Sequence, residues 1–242
     1  VGAGGGGLKT LRALPMFITL EGIDGSGKST QARLLAEALR AEGRDVTLTR
    51  EPGGSPGAEE IRRLLVEGRG ERWSPETECL LFTAARRDHL ERVILPALSA
   101  GGTVVCDRFA DSTRVYQGLA RADLRAVVDR LHALMIGIEP DRTFVIDTDP
   151  AEAVARTTAR TAAAAMAAAD ATGAATQAVG AAMRDAMARE AREDRFEGFG
   201  LAFQQRLRDG FRALAAEYPA RLRLIDGSGD PQSVAARIRA AL

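Results

Sequence analysis

The 242-residue sequence predicts an α/β protein of the P-loop type: a doubly wound, five-stranded parallel sheet with helices on both faces and a helical lid. Three observations carry this expectation. Apolar, β-rich runs alternate with helically spaced segments from residue 16 to the C-terminus. The run TVVCD (Thr103 to Asp107) is continuously apolar up to its last residue, as in a sheet covered on both faces. The first run enters the string Gly22, Ile23, Asp24, Gly25, Ser26, Gly27, Lys28, Ser29, Thr30, which fits G-x-x-x-x-G-K-[ST] at every fixed position.

Each element has its own signal. MFITLE (Met16 to Glu21) is the first strand. The helix after the glycine turn carries Leu34, Leu35, Ala38 and Leu39 on one face. A strand entering such a turn aims several backbone N–H groups and the positive helix end at one point, which suits only an anion. DVTLT (Asp45 to Thr49) is the second strand. It ends in REPGGSPG, read as a loop at the carboxyl end of a strand, where open α/β sheets place ligands. Ser74 as N-cap and Pro75 at the first position open a long helix to about Leu98. TVVCD is the third strand, and residues 121 to 136 form another helix. TFVID (Thr143 to Asp147) and LRLID (Leu222 to Asp226) are the fourth and fifth strands. The chain closes as a helix capped by Asp230, with Pro231 first and Val234, Ile238 and Leu242 on one face.

Composition changes between Pro150 and Leu201. Arg156 and Arg160 lead into an Ala/Thr/Gly/Met tract that exits through Arg184, Arg189, Arg192 and Arg195. Basic residues at both ends of a non-sheet excursion predict a lid over about 151–200, with an Ala-rich insertion at about 161–188. That insertion is expected to be helical in pieces, broken at Gly173 and Gly180. The glycine-rich start, residues 1–15, reads as a flexible extension or cloning remnant ahead of one domain spanning 16–242, with Met16 a candidate natural first residue.

Several function classes fall away. Lys plus Arg and Asp plus Glu both number 33, so no basic excess exists to hold a nucleic-acid backbone. Cys79 and Cys106 form no C-x-x-C pair; a disulfide or zinc framework is not expected, and a reducing cytoplasm is the default. His89 and His132 are the only histidines, too few for a metal site. No apolar run reaches membrane-span length.

The remaining chemistry is phosphoryl transfer, which needs positioning and charge neutralisation more than covalent help. Gly22 to Gly27, with Lys28 and Thr30, supply a phosphate cradle. The only lysines are Lys9 and Lys28, so within the body a point-like ammonium is kept at this one position. Ser29 supplies the hydroxyl that such loops place on Mg2+. A second acidic group is expected at a neighbouring strand end. Asp107 is preferred over Asp147, because Arg108 follows it directly and the pair can serve metal and phosphate together.

Several strings in this order resemble the bacterial thymidylate kinases: EGIDGSGKST, REPGG, LLFTAARRDH, DRFADSTRVYQG, and DRFE followed by FQQRLRDGF. The similarity runs from about Phe17 to the C-terminus, residues 161–188 excepted. It implies a nucleoside-monophosphate-kinase fold, Mg-ATP as donor, dTMP as acceptor and a homodimer. It further implies that Phe82 stacks on thymine, that Arg86 donates to a thymine carbonyl, and that Thr113 bonds the pyrimidine edge beside Gln117. Tyr116 would crowd C2′, Asp24 would reach the sugar 3′-OH or a metal-bound water, and Arg50 and Arg108 would bracket the acceptor phosphate. One departure stands out. Bacterial members with no arginine in the phosphate loop carry R-x-R-x-R in the lid, whereas here the lid reads RTTAR, with Thr158 at the middle position. Either Arg160 suffices as the catalytic lid cation, or Arg189, Arg192 or Arg195 completes the clamp. Another monophosphate kinase on the same frame and a non-catalytic nucleotide-binding module are the alternative readings.

Overall fold

The computed structural model describes residues 14–66, 72–121, 123–172 and 200–242. Along the chain these form β1 (Met16–Glu21), α1 (Lys28–Ala41), β2 (Val46–Arg50), α2 (Pro56–Val66), α3 (Pro75–His89) and α4 (Leu95–Ser99). Then come β3 (Thr103–Asp107), α5 (Ala110–Val115), α6 (Arg125–Met135), β4 (Arg142–Asp147) and α7 (Pro150–Thr172). The chain ends with α8 (Gly200–Glu217), β5 (Leu222–Asp226) and α9 (Pro231–Ala240). A π-helical turn, Leu90–Ile94, joins α3 to α4, and a second, Tyr116–Arg121, extends α5.

The five strands form one parallel sheet in the order β2-β3-β1-β4-β5. β1 is central, and Leu20 pairs with Asp107 on one side and Phe144 on the other. The carboxyl ends of β1, β3 and β4 therefore open on one edge, on either side of the point where strand order reverses. Ile18, Leu20, Val105 and Phe144 pack against Leu35, Ala36 and Leu39 of α1 and Val234 and Ile238 of α9. Phe17, Val104 and Cys106 pack the opposite face against Leu90, Ile94 and Phe109. Side chains buried on both faces are what made the strands read as unbroken apolar runs.

The elements differ in detail from the sequence reading. The buried stripe of α1 is Lys28, Gln31, Ala32, Leu35, Ala36 and Leu39. Leu34 and Ala38 flank it, half-buried beside α9. Leu242 lies beyond the last turn of α9 and is largely outside the core. α6 begins at Arg125, with Leu124 as its N-cap, and Arg121 belongs to the π-helical turn instead. REPGGSPG is only partly a loop: α2 begins at Pro56, and Ser55–Pro56 repeats the start signal that Ser74–Pro75 gives α3. In α7 the described part of the Ala-rich tract continues the helix without a break to Thr172. Gly173, Gly180, Arg184, Arg189, Arg192, Arg195 and residues 1–13 lie outside the described residues. Both cysteines are free and buried, and burial pushes the Cys79 thiol up to about 11. No helix among the described residues is long and apolar enough to cross a membrane.

Candidate active site

The phosphate loop links the end of β1 to the start of α1, with Gly22, Gly25 and Gly27 all at positive φ. Gly27 precedes α1 without a side-chain cap, so the first-turn N–H groups face the cleft unoccupied by a capping side chain. Around this mouth stand Gly25, Ser26, Gly27 and Thr30 from the loop and α1. Arg156 and Arg160 of α7 and Gly227 and Gly229 after β5 complete it. Arg156 is held by Glu152 and by the Gly227 carbonyl at 3.1 Å, which ties α7 to the β5 exit.

Lys28 is buried and donates from Nζ to the Ile23 carbonyl at 2.7 Å. Burial and the nearby Arg108 push its pKa down to about 8, against the pull of Asp24 and Asp107. One residue on, Ser29 Oγ donates to Asp107 Oδ2 at 2.5 Å. The other carboxylate oxygen, Asp107 Oδ1, is buried and has no protein partner. A hydroxyl and an orphaned carboxylate oxygen side by side fit a hard divalent cation. Asp147, the competing position, has its carboxylate occupied: Arg208 Nε lies at 2.7 Å and Arg212 Nη2 at 2.7 Å.

A second, half-open cleft lies on the other side of the loop. Asp24, Phe82, Arg86, Arg108, Thr113, Tyr116 and Gln117 all line it. Arg86 Nη2 donates to Thr113 Oγ1 at 3.0 Å and to the Phe109 carbonyl at 3.2 Å. Gln117 Nε2 donates to the buried Glu78 at 3.2 Å. Phe82 is half-buried, its ring exposed to the cleft rather than consumed by the core. Arg50 is not brought in: its exposed guanidinium sits on Glu59, at 3.0 and 3.2 Å.

Asp24 is the hinge between the two clefts. It accepts from the Tyr116 hydroxyl at 2.7 Å and pairs with Arg108. Burial works to raise its pKa, but Arg108 and Lys28 hold it below the usual carboxylate range.

The sequence comparisons bear on this geometry. A family model described as Thymidylate kinase matches residues 20–178. The chain belongs to the thymidylate kinase family. Thymidylate kinase of Ruegeria pomeroyi is 59% identical over 223 residues, covering 92% of each chain. That of Dinoroseobacter shibae is 59% identical, over 93% of this chain and 95% of the other. The crystal structure of thymidylate kinase from Ehrlichia chaffeensis superposes with a TM-score of 0.68 at 32% identity, covering 94% of this chain and 98% of that one.

Within this thymidylate kinase site, sequence reasoning missed Glu21, at the end of β1. It is fully buried, with Oε1 accepting from Phe109 N at 2.7 Å and Oε2 from Ser112 Oγ at 2.5 Å. Burial and Asp111 raise its pKa to about 7. Ser112 Oγ in turn accepts from Arg108 Nη1 at 3.0 Å. Arg108 holds φ at 70°, a left-handed conformation costly for a side-chain-bearing residue, and Glu21 fixes the backbone immediately after it. A carboxylate closing an otherwise uncharged buried strand was the available signal. Glu51, Pro52, Arg62, Leu65 and Val66 also line the second cleft and were missed: Glu51 and Pro52 stand in the REPGG loop with no role assigned, and the residues of α2 after Gly57 carried no reading at all.

Proposed function

We infer that this chain transfers the γ-phosphoryl group of ATP to dTMP, giving dTDP and ADP. The observation that carries the reading is the placement of two clefts on opposite sides of one phosphate loop. Gly25, Ser26 and Gly27 face the first, Asp24 faces the second, and Lys28 lies buried between. Two nucleotides seated there meet phosphate to phosphate. The nucleophile is then an anionic phosphate oxygen, so no side chain need remove a proton, which agrees with a site without histidine at its reacting end.

ATP phosphates would rest on the N–H groups of Gly25 to Thr30, with Lys28 reaching the transferred group. Arg160, lining the same mouth from α7, is the lid cation assigned to the transition state. Ser29 and Asp107 would hold Mg2+, which when bound neutralises charge on the donor phosphates. On the acceptor side, Phe82 offers a ring to the base, Arg86 and Thr113 its hydrogen-bonding edge, and Gln117 a neighbouring polar wall. Tyr116 excludes a 2′-hydroxyl, Asp24 takes the sugar, and Arg108 the acceptor phosphate. Arg50 can join it only by leaving Glu59. A homodimer rests on the family resemblance alone, and two free buried cysteines suit a reducing compartment such as the cytoplasm.

The test is ADP release by the full chain with Mg-ATP and, in turn, dTMP, dUMP, UMP, CMP and AMP. dTMP should support the highest kcat/KM. Preference for a ribonucleotide, or ATP binding without acceptor-dependent turnover, would overturn the assignment.

A further inference from the structure

His89 is absorbed by no step of the reaction, yet it is completely buried a few ångströms from the acceptor cleft. It ends α3, three residues after Arg86, so both side chains leave the same helix face. Arg86 Nε donates to Glu51 Oε2 at 2.7 Å, and the pair is only 4% exposed on either side. The other Glu51 oxygen, Oε1, meets His89 Nδ1 at 3.1 Å. His89 Nε2 meets the Thr49 hydroxyl at 2.7 Å, on β2. These partners assign the proton to Nδ1, with Nε2 accepting from Thr49. The chain of contacts runs Thr49, His89, Glu51, Arg86, Thr113, and it leaves Arg86 Nη1 as the guanidinium nitrogen without a protein partner among the described residues.

The surroundings leave the imidazole no freedom. A Cβ at Gly54 would lie 2.5 Å from His89 Nε2 and 2.6 Å from Thr49 Oγ1, so the loop after β2 is packed on the ring. A buried carboxylate with one unfilled oxygen could rotate about its last torsion and carry the arginine with it. Filling Oε1 from a ring fixed at its far nitrogen removes that rotation.

We propose that His89 is a positioning residue for base recognition, orienting Arg86 through Glu51 so that Nη1 is presented to the pyrimidine edge. The inference rests on the reading of Arg86 as the base-contacting group. It concerns the acceptor alone, since no contact in the chain reaches the phosphate loop.

Steady-state kinetics on the intact chain, titrating dTMP and ATP separately, test it. His89→Ala should raise KM for dTMP roughly tenfold, in the range for one lost member of a coupled network, with KM for ATP within about twofold. His89→Asn, whose amide N–H stands where Nδ1 stands, should restore most of the loss. Arg86→Ala should itself raise KM for dTMP selectively, and adding His89→Ala to it should cost little more. If His89→Ala fails to fold, Thr49→Val, which frees Nε2, should still raise KM for dTMP selectively. Equal rises in both KM values, no rescue by asparagine, or multiplying penalties in the double variant would overturn the proposal. So would a selective effect of Arg86→Ala with His89→Ala silent, which leaves the base-reading assignment standing. An Arg86→Ala enzyme with unchanged dTMP affinity would bring down both.

Discussion

Replacing Gly25 by alanine probes how the phosphate loop is docked against α7. A Cβ there would lie 2.1 Å from the Ala153 carbonyl oxygen and 2.6 Å from Thr157 Oγ1, both on α7, with φ at +78°. Carbon–oxygen contacts normally stop at about 3.3 Å, so loop and helix must separate by more than about 1 Å. Gly27 is the internal control. Its φ is +96°, but a Cβ there meets nothing within 4 Å. Both substitutions carry the left-handed backbone cost of about 1–2 kcal/mol. Only Gly25→Ala adds overpacking, about 1–3 kcal/mol more. At roughly 2–4 °C per kcal/mol for a chain of this size, Gly27→Ala should lower Tm by about 4 °C and Gly25→Ala by about 10 °C. Because α7 carries Arg156 and Arg160, the same displacement should lower kcat of Gly25→Ala about 10²-fold. Thermal unfolding of the two ligand-free variants and their initial rates at saturating substrates decide the matter. Equal Tm losses would refute the packing argument, since they would leave only the backbone cost that the two positions share.

Two further substitutions separate function from stability. Lys28→Met should lower kcat by about 10²-fold or more, by analogy with other lost transition-state donors, yet it should not destabilise the protein at pH 7. Moving the ammonium pKa from 10.5 to about 8 means the fold carries a penalty near 3 kcal/mol while the lysine is charged. Between pH 8 and 10.5 the unfolded chain binds more protons, so wild-type stability gains on the variant there; a Lys28→Met protein less stable by over about 2 kcal/mol at pH 7 would contradict this. Glu21 has the opposite sign: its pKa rises from 4.5 to about 7, so the folded state holds the extra proton. Wild-type stability should therefore fall by about 3 kcal/mol across that window, and Glu21→Gln should show a flatter profile in urea titrations at pH 5 and 8. Parallel profiles would show that Glu21 does not titrate with folding.

Much of this was legible in the chain itself. Five apolar runs, a glycine turn with its lysine and serine, and proline-led helix starts are local signals, because strand burial, backbone freedom at glycine and helix capping each act over a few residues. Ser29 and Asp107 could be paired in advance because a parallel sheet puts strand ends on one edge, which is a consequence of topology and not of any one side chain. Tertiary structure decided what depends on contacts across long separations. The sequence shows two arginines at strand ends as equals, yet Arg108 turns inward onto Asp24 while Arg50 pairs outward with Glu59. It shows Asp107 and Asp147 as rival strand-end carboxylates, yet Asp147 is neutralised by Arg208 and Arg212 from α8, more than sixty residues on. Glu21 and His89 look like an ordinary strand end and an ordinary helix end. Only packing shows that each fills hydrogen bonds next to an arginine lining the second cleft, because burial turns a polar side chain from an optional contact into a required one.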